Sequence, residues 1–116
     1  ALIQRRFKGQ FASEAMPTLG LDFASEKYQS TQDQFQGQTF NMKVWDTAGM
    51  ERFQTLTYSF YKKAEAICIA FSVSDRQSFE KIQNWITAIK ENASLNVPVI
   101  LVGTKIDVEA SERVIS

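Results

Sequence analysis

The stretch Trp45-Asp46-Thr47-Ala48-Gly49-Met50-Glu51-Arg52-Phe53 ends an alternating strand pattern and begins a loop. Asp46 places a carboxylate at the end of that predicted strand, and such a group can hold Mg²⁺ through water, since magnesium keeps most of its hydration. Gly49 has no Cβ, so its main-chain N–H can approach an anion closely. An acid followed by glycine at a strand end therefore indicates a metal and phosphate site. For these residues alone, a plain turn is the alternative.

Strand patterns lie on both sides of a predicted turn at Gln36-Gly37. Residues 21–34 and 39–46 are predicted strands, and the turn between them makes an antiparallel hairpin. Alternation in the second strand assigns three side chains to the core face: Phe40, Met42 and Val44. Trp45 then falls on the polar face, where a large aromatic side chain is unexpected.

The second half of the chain has the pattern of a strand, a helix and a parallel strand. The continuous apolar runs 66–73 and 97–103 are typical of strands that are covered on both faces. Residues 77–92 have apolar side chains at helical spacing, with Ser78 or Asp75 as the predicted N-cap. This order predicts a right-handed βαβ unit. The predicted fold class is therefore α/β, a doubly wound and mostly parallel sheet with one antiparallel hairpin edge.

Composition excludes several classes of function. The 116 residues include no histidine, so a histidine-based triad or imidazole metal site is excluded. The formal net charge of +0 argues against bulk electrostatic binding to nucleic acid or to a membrane. The one cysteine, Cys68, lies in an apolar run and is predicted to be a small buried hydrophobe, with a reducing compartment as the default. No apolar run approaches the ~20 residues of a membrane span.

Four segments resemble the Rab family of small GTPases, within the Ras superfamily. Residues 45–53 resemble switch II, and Thr18-Leu19-Gly20-Leu21-Asp22-Phe23 resembles switch I. Phe60-Tyr61-Lys62-Lys63-Ala64 stands in the place of the family's YYRGA, and Gly103-Thr104-Lys105-Ile106-Asp107 resembles the guanine-specificity motif NKxD. The resemblance implies a Ras-like P-loop NTPase fold, in which residues 1–116 form a single Rab-like domain that is incomplete at both ends.

The resemblance also implies a function. A Rab-type protein is a GTP-binding molecular switch that regulates vesicle and membrane traffic, with GTP or GDP and Mg²⁺ as its cofactors. The implied partners are Rab effectors, an exchange factor and a GTPase-activating protein, and no nucleic acid. The intact protein is expected in the cytoplasm, peripheral on the cytosolic face of endomembranes, where a C-terminal lipid anchor that is absent from this chain would hold it.

The metal and phosphate residues follow from the same motifs. The implied Mg²⁺ ligands are Thr18 and Asp46. The implied γ-phosphate contacts are the main-chain N–H groups of Thr18 and Gly49. For Thr18 considered by itself, a loop hydroxyl that caps its neighbours is the alternative interpretation.

The implied guanine-binding residues are Thr104, Lys105 and Asp107. The two carboxylate oxygens of Asp107 suit the N1–H and N2–H₂ donors of guanine, a pair that adenine lacks. With the wrong base, a buried carboxylate would stay unpaired, and the lost binding free energy would disfavour that base. The stem of Lys105 can lie flat over the base. Thr104 departs from the family's usual asparagine. Considered alone, the four residues could also form a surface loop with a charge pair.

Met50 stands where the family has the catalytic, water-orienting glutamine. A thioether is a weak acceptor and donates nothing, so it cannot hold a water molecule in line. We therefore expect slow GTP hydrolysis by the intact protein, and the sequence leaves open whether the chain is an active enzyme. The alternative is that Met50 fills space in the loop and another group, such as one from a partner, supplies the missing function.

Phe23, Trp45 and Phe60 match the aromatic positions of the Rab effector-binding surface. Exposed aromatic clusters mark recognition sites. The alternative is that all three side chains belong to the core.

The motif GxxxxGK[ST], whose loop would hold the phosphates, does not occur in the 116 residues. In the family it precedes the first helix, so the chain is expected to be an internal fragment that lacks the P-loop and the C-terminal part, and that binds GTP weakly by itself. Two hypotheses follow. One is a nucleotide switch, and the other is a hydrolysis-deficient GTPase-like domain that serves as an interaction or structural module.

Overall fold

The computed structural model describes residues 2, 5, 6, 9, 21–47 and 59–116. The predicted site residues Thr18, Gly49 and Met50 lie outside these ranges. The chain divides into two compact units, Ala1–Thr57 and Tyr58–Ser116. Within the described residues, no helix has both the length and the apolar character needed to cross a membrane.

The first unit contains the predicted antiparallel hairpin. Strand β1 runs Leu21–Gln29 and pairs with β2, Thr39–Thr47. The predicted first strand was too long, because Asp33–Phe35 form a short 3-10 helix in the connection. Ser30 follows the strand: its main chain still bonds to Gln38 and Gly37 across the hairpin, and its Oγ accepts from the main-chain N–H of Gln32 at 3.2 Å at the start of the connection.

The face of β2 that was predicted to lie in the core is only partly covered. Phe40 is 45% exposed and Met42 is 37% exposed, while Val44 is half-buried. The prediction is therefore wrong for Phe40 and Met42. The described part of this unit supplies no second layer over them, and a two-stranded hairpin cannot bury its own face. Phe40 packs edge-to-face with Phe35 at a centroid distance of 6.3 Å.

The second unit contains the predicted strand, helix and parallel strand. Strand β3 is Ile67–Ser72 and β4 is Val99–Thr104, in parallel register. The helical segment between them is two helices, α1 at Arg76–Glu80 and α2 at Ile82–Asn92. They separate at Lys81, whose N–H bonds to the carbonyl of Gln77, as in an α-helix, and also approaches the carbonyl of Phe79.

Asp75 is the N-cap of α1. Its Oδ1 accepts from the main-chain N–H groups of Gln77 at 3.0 Å and Ser78 at 3.3 Å. Of the two predicted capping residues, the structure selects Asp75, because an N-cap side chain must accept from the second or third helical residue.

The core of the second unit lies between the sheet and α2. Its buried members are Tyr61, Ile69, Ile82, Ala88 and Ile89. Helix α2 has its apolar side chains on one face, so it covers the face of β3 that carries Ile69.

The opposite face of this sheet departs from the prediction. Cys68 is exposed, and its register partner Ile100 is 56% exposed. The predicted burial of Cys68 is therefore wrong. Partners in a parallel ladder share a face, and no described helix of this unit covers the face of Cys68 and Ile100. Strand β4 was predicted to be covered on both faces, and this prediction is also wrong for its other face. Val99 and Leu101 on that face are 46% and 51% exposed.

Candidate functional site

Asp46 lies at the penultimate position of β2 and is half-buried. The ladder continues to the end of the strand, with Asp46 opposite Asp22 and Thr47 opposite Leu21. The paired backbone of the hairpin thus positions the predicted metal ligand. Among the described side chains, no three histidine, cysteine or carboxylate groups form a metal-binding cluster. The predicted second ligand, Thr18, lies outside the described residues.

Trp45 is 45% exposed, next to Asp46 on β2. The exposure agrees with its predicted place on the polar face of the strand. In the backbone register Trp45 lies opposite Phe23, so two of the three predicted effector positions are direct neighbours across the hairpin. Phe60, the third, is half-buried and helical in the second unit. Its effector role, like that of the other two, stays a prediction.

The carboxyl end of β4 is held against β3 by Phe71. Gly103 is the register partner of Phe71, and a Cβ at Gly103 would lie 3.3 Å from Phe71 Cζ. The hydroxyl Oγ1 of Thr104 donates a hydrogen bond of 2.8 Å to the main-chain carbonyl of Phe71. The ring and the carbonyl of one residue therefore fix two successive residues of β4.

A turn follows directly at Lys105. This residue has φ of 58°, the left-handed conformation that non-glycine residues seldom adopt. The carbonyl of Lys105 accepts from the N–H of Val108 at 3.2 Å, which closes the turn. Lys105, Ile106 and Asp107 are all exposed. The structure thus brings the three predicted base-binding residues together, with Thr104 at the end of the strand and Lys105 and Asp107 on the turn.

A hydroxyl cluster lies at the carboxyl end of β3, and the sequence reasoning missed it. Ser78 Oγ accepts from the main-chain N–H of Ser72 at 3.0 Å and donates to the carbonyl of Asp75 at 2.7 Å. The hydroxyls of Ser72 and Ser74 are 2.9 Å apart. Closely spaced serines before a predicted N-cap were the available signal. The cluster ties the start of α1 to β3 without a ligand.

Val73 joins three parts of the second unit through its main chain. Its N–H donates to the carbonyl of Thr104 at 3.1 Å. Its carbonyl accepts from the N–H groups of Val114 at 2.9 Å and Ile115 at 3.0 Å. Arg76 adds a bond of 2.9 Å from Nη2 to the carbonyl of Val114. The segment that follows the turn is therefore fastened to the end of β3.

The fold elements and the turn after β4 are those of a Ras-like small GTPase. Residues 1–116 match the Ras family along their whole length, and the chain belongs to this family. Its Ras-like α/β fold has the parallel pair β3–β4 and the antiparallel hairpin β1–β2.

Its relatives among curated proteins include Ras-related Rab proteins. The chain is 42% identical to Ras-related protein Rab-13 of Rattus norvegicus over 113 residues, 97% of this chain and 53% of that protein. It is 38% identical to Ras-related protein RAB1BV of Beta vulgaris over 98% of this chain and 51% of the relative. GTP-binding protein yptV2 of Volvox carteri is 36% identical, with 99% and 51% covered. The chain spans about half the length of these curated relatives.

Proposed function

We propose that this chain is the nucleotide-binding core of a Rab-type molecular switch. The intact protein binds GTP and GDP with Mg²⁺ and regulates membrane traffic by binding effectors in the GTP state. The observation that carries the proposal is the exposed turn at Lys105 and Asp107. It lies at the carboxyl end of a parallel strand, where open α/β sheets bind their ligands.

The residues of this turn fit a guanine base. Asp107 is exposed at the turn, with two carboxylate oxygens for the two adjacent donors on guanine. Lys105 is exposed two residues before it, with an aliphatic stem long enough to cover a flat ring. A β4 strand held by Phe71 keeps the turn in place before the ligand arrives, and such preorganisation reduces the cost of binding.

Asp46 fits a magnesium ion that keeps most of its water. It is half-buried at the end of a paired strand, so a water molecule between the carboxylate and the ion suits its position. In the proposed switch, Thr18 supplies a second ligand and Gly49 meets the γ-phosphate. These roles rest on the Rab resemblance.

Trp45 and its register partner Phe23 are the proposed centre of the effector surface. Phe60 is also proposed to contact effectors, a role that rests on the Rab resemblance alone. An exposed tryptophan on a paired strand supplies a large apolar contact area for a partner. Exchange factors and GTPase-activating proteins are the further proposed partners. In the intact protein a C-terminal lipid anchor would bring this surface to the cytosolic face of endomembranes.

Base selectivity tests the proposal. GMP and AMP are titrated into the ¹⁵N-labelled chain, since a mononucleotide presents the base without requiring a phosphate loop. We expect GMP, and not AMP, to shift the amide signals of residues 105–108, and Asp107→Asn to abolish this preference. Glu109→Gln is the matched control, because Glu109 is an exposed acid just beyond the turn. Equal shifts with GMP and AMP, or none with either, would contradict the proposal.

The second candidate function is a hydrolysis-deficient GTPase-like domain that acts as an interaction or structural module. Met50 in the glutamine position and the exposed Trp45 favour it. The coding sequence upstream of Ala1 separates the two candidates. A GxxxxGK[ST] motif there supports the switch, and its absence supports the module.

A further inference from the structure

The hydroxyl of Thr104 is already engaged within the protein. Its proton is donated to the carbonyl of Phe71 across the sheet, at 2.8 Å and in a half-buried position. A hydroxyl has a single proton, so this bond leaves Thr104 with lone pairs only, which cannot pair with the acceptor atoms N7 and O6 of guanine. The threonine at the family's asparagine position is thus directed into the sheet, while Lys105 and Asp107 are exposed.

The residue after Thr104 has an unfavourable backbone conformation. Lys105 is left-handed, with φ of 58°, and residues persist in this region only where the surrounding structure determines them. Hydrogen bonds fix the backbone on both sides of Lys105. Before it, Thr104 is fixed to Phe71 by its hydroxyl and to Val73 by its carbonyl, and after it the N–H of Val108 bonds to the Lys105 carbonyl.

We propose that Thr104 is a positioning residue of the base-recognition turn and does not bind the base. Its hydroxyl bond to Phe71 fixes the direction in which β4 ends. That direction allows the left-handed Lys105 and the closed turn that presents Asp107. The part of this inference that concerns guanine rests on the proposed function above.

Two substitutions separate the hydroxyl from the shape of the side chain. Thr104→Val removes the hydroxyl and keeps the branched shape that suits a strand, whereas Thr104→Ser keeps the hydroxyl. Thr87→Val is the matched control, because the Thr87 hydroxyl also donates to a main-chain carbonyl, that of Gln83 at 3.0 Å, within α2. The readout is amide hydrogen exchange at Val108, whose N–H closes the turn.

We expect Thr104→Val to accelerate exchange at Val108 about three- to tenfold, which is the effect of losing one hydrogen bond of typical net strength. Thr104→Ser and Thr87→Val should exchange at Val108 like the wild-type chain. An unchanged rate in Thr104→Val would overturn the proposal. Fast exchange at Val108 in Thr104→Ser would also overturn it. The measurement on Thr104→Ser decides the question even if the valine variant is unfolded.

A double-mutant cycle with GMP then tests whether Thr104 acts through the turn. We expect Thr104→Val to weaken GMP binding about three- to tenfold, and to have no further effect once Asp107→Ala is present. An equal loss in both backgrounds would indicate direct contact with the base and would overturn the proposal. If the wild-type chain does not bind GMP, the proposed function fails, while exchange at Val108 still decides whether Thr104 positions the turn.

Discussion

The ring of Phe71 lies against Gly103, so closely that a Cβ on the glycine would be 3.3 Å from Phe71 Cζ. The same Cβ would be 3.4 Å from Val73 Cγ1. Glycine leaves room for this approach, and a methyl group here would have to displace the neighbouring side chains by a few tenths of an ångström. The close approach brings the end of β4 under an aromatic side chain that also packs edge-to-face on Phe79, at a centroid distance of 5.2 Å.

We predict that Gly103→Ala lowers the free energy of unfolding by about 1 kcal/mol and Gly103→Val by more, because the added atoms must displace the side chains of Phe71 and Val73. Urea unfolding followed by circular dichroism measures the change. Ala70→Val is the control, since Ala70 is exposed on the same sheet and its replacement should change stability by less than about 0.5 kcal/mol. A Gly103→Ala variant as stable as the wild-type chain would show that the contact with Phe71 is loose.

The two tryptophans of the chain should respond differently to truncation. Trp45 is 45% exposed, and Trp85 is half-buried against the core of the second unit. We predict that Trp85→Ala costs about 2 kcal/mol of stability and Trp45→Ala less than about 1 kcal/mol, because only Trp85 loses extensive packing. Acrylamide should quench the fluorescence of the Trp85→Ala variant, which retains Trp45, more strongly than that of Trp45→Ala. The reverse order of quenching would argue against the exposure of Trp45.

The thiol of Cys68 should react readily in the folded chain. It is exposed on the face of β3 that α2 does not cover. We predict that the rate at which Ellman's reagent modifies the native chain is within about tenfold of the rate for the denatured chain. Access of the reagent limits the reaction of a thiol in a folded protein, and this thiol is accessible. Cys68→Ser is the blank. A thiol that reacts only after unfolding would show that another part of the protein covers this face.

Hydrolysis of GTP by the intact protein should be slow because of Met50. We predict that Met50→Gln raises the single-turnover rate at least about tenfold, since glutamine can accept and donate hydrogen bonds to the attacking water. Nucleotide affinity should be similar in the two proteins, so that the comparison reports the chemical step. Equal rates with methionine and glutamine would mean that another group positions the water.

Local sequence signals predicted much of the fold. The turn residues at Gln36-Gly37 gave the hairpin, and Asp75 was one of two predicted caps of α1. These features depend on residues that are close in the chain. The end of β1 was missed, because the connection after Ser30 folds into a local turn, held by the Ser30 side chain, and a short 3-10 helix. Likewise, the sequence around Lys81 has no proline or glycine that would indicate a break between the two helices.

Burial was harder to predict than secondary structure. An apolar run such as that around Cys68 indicates a strand, but it does not tell how many layers cover the strand. Exposure of Cys68 and Ile100 depends on which elements pack there, which is a non-local property. For the site, the motif at residues 103–107 predicted that Lys105 and Asp107 lie close together, and both are found on one turn. The internal bond of Thr104 was not predictable, since its acceptor lies on β3, 33 residues earlier in the chain.

Val73 has a consequence for how freely the loop after β4 can vary in sequence. Its N–H bonds to Thr104 where the loop leaves the sheet, and its carbonyl bonds to Val114 and Ile115 where the loop returns. Both ends of the loop are thus fastened to one residue, Val73, by main-chain groups, which no side-chain replacement other than proline removes. Residues between the two ends can therefore change while the distance between the ends stays the same, so the functional groups that the loop carries can vary.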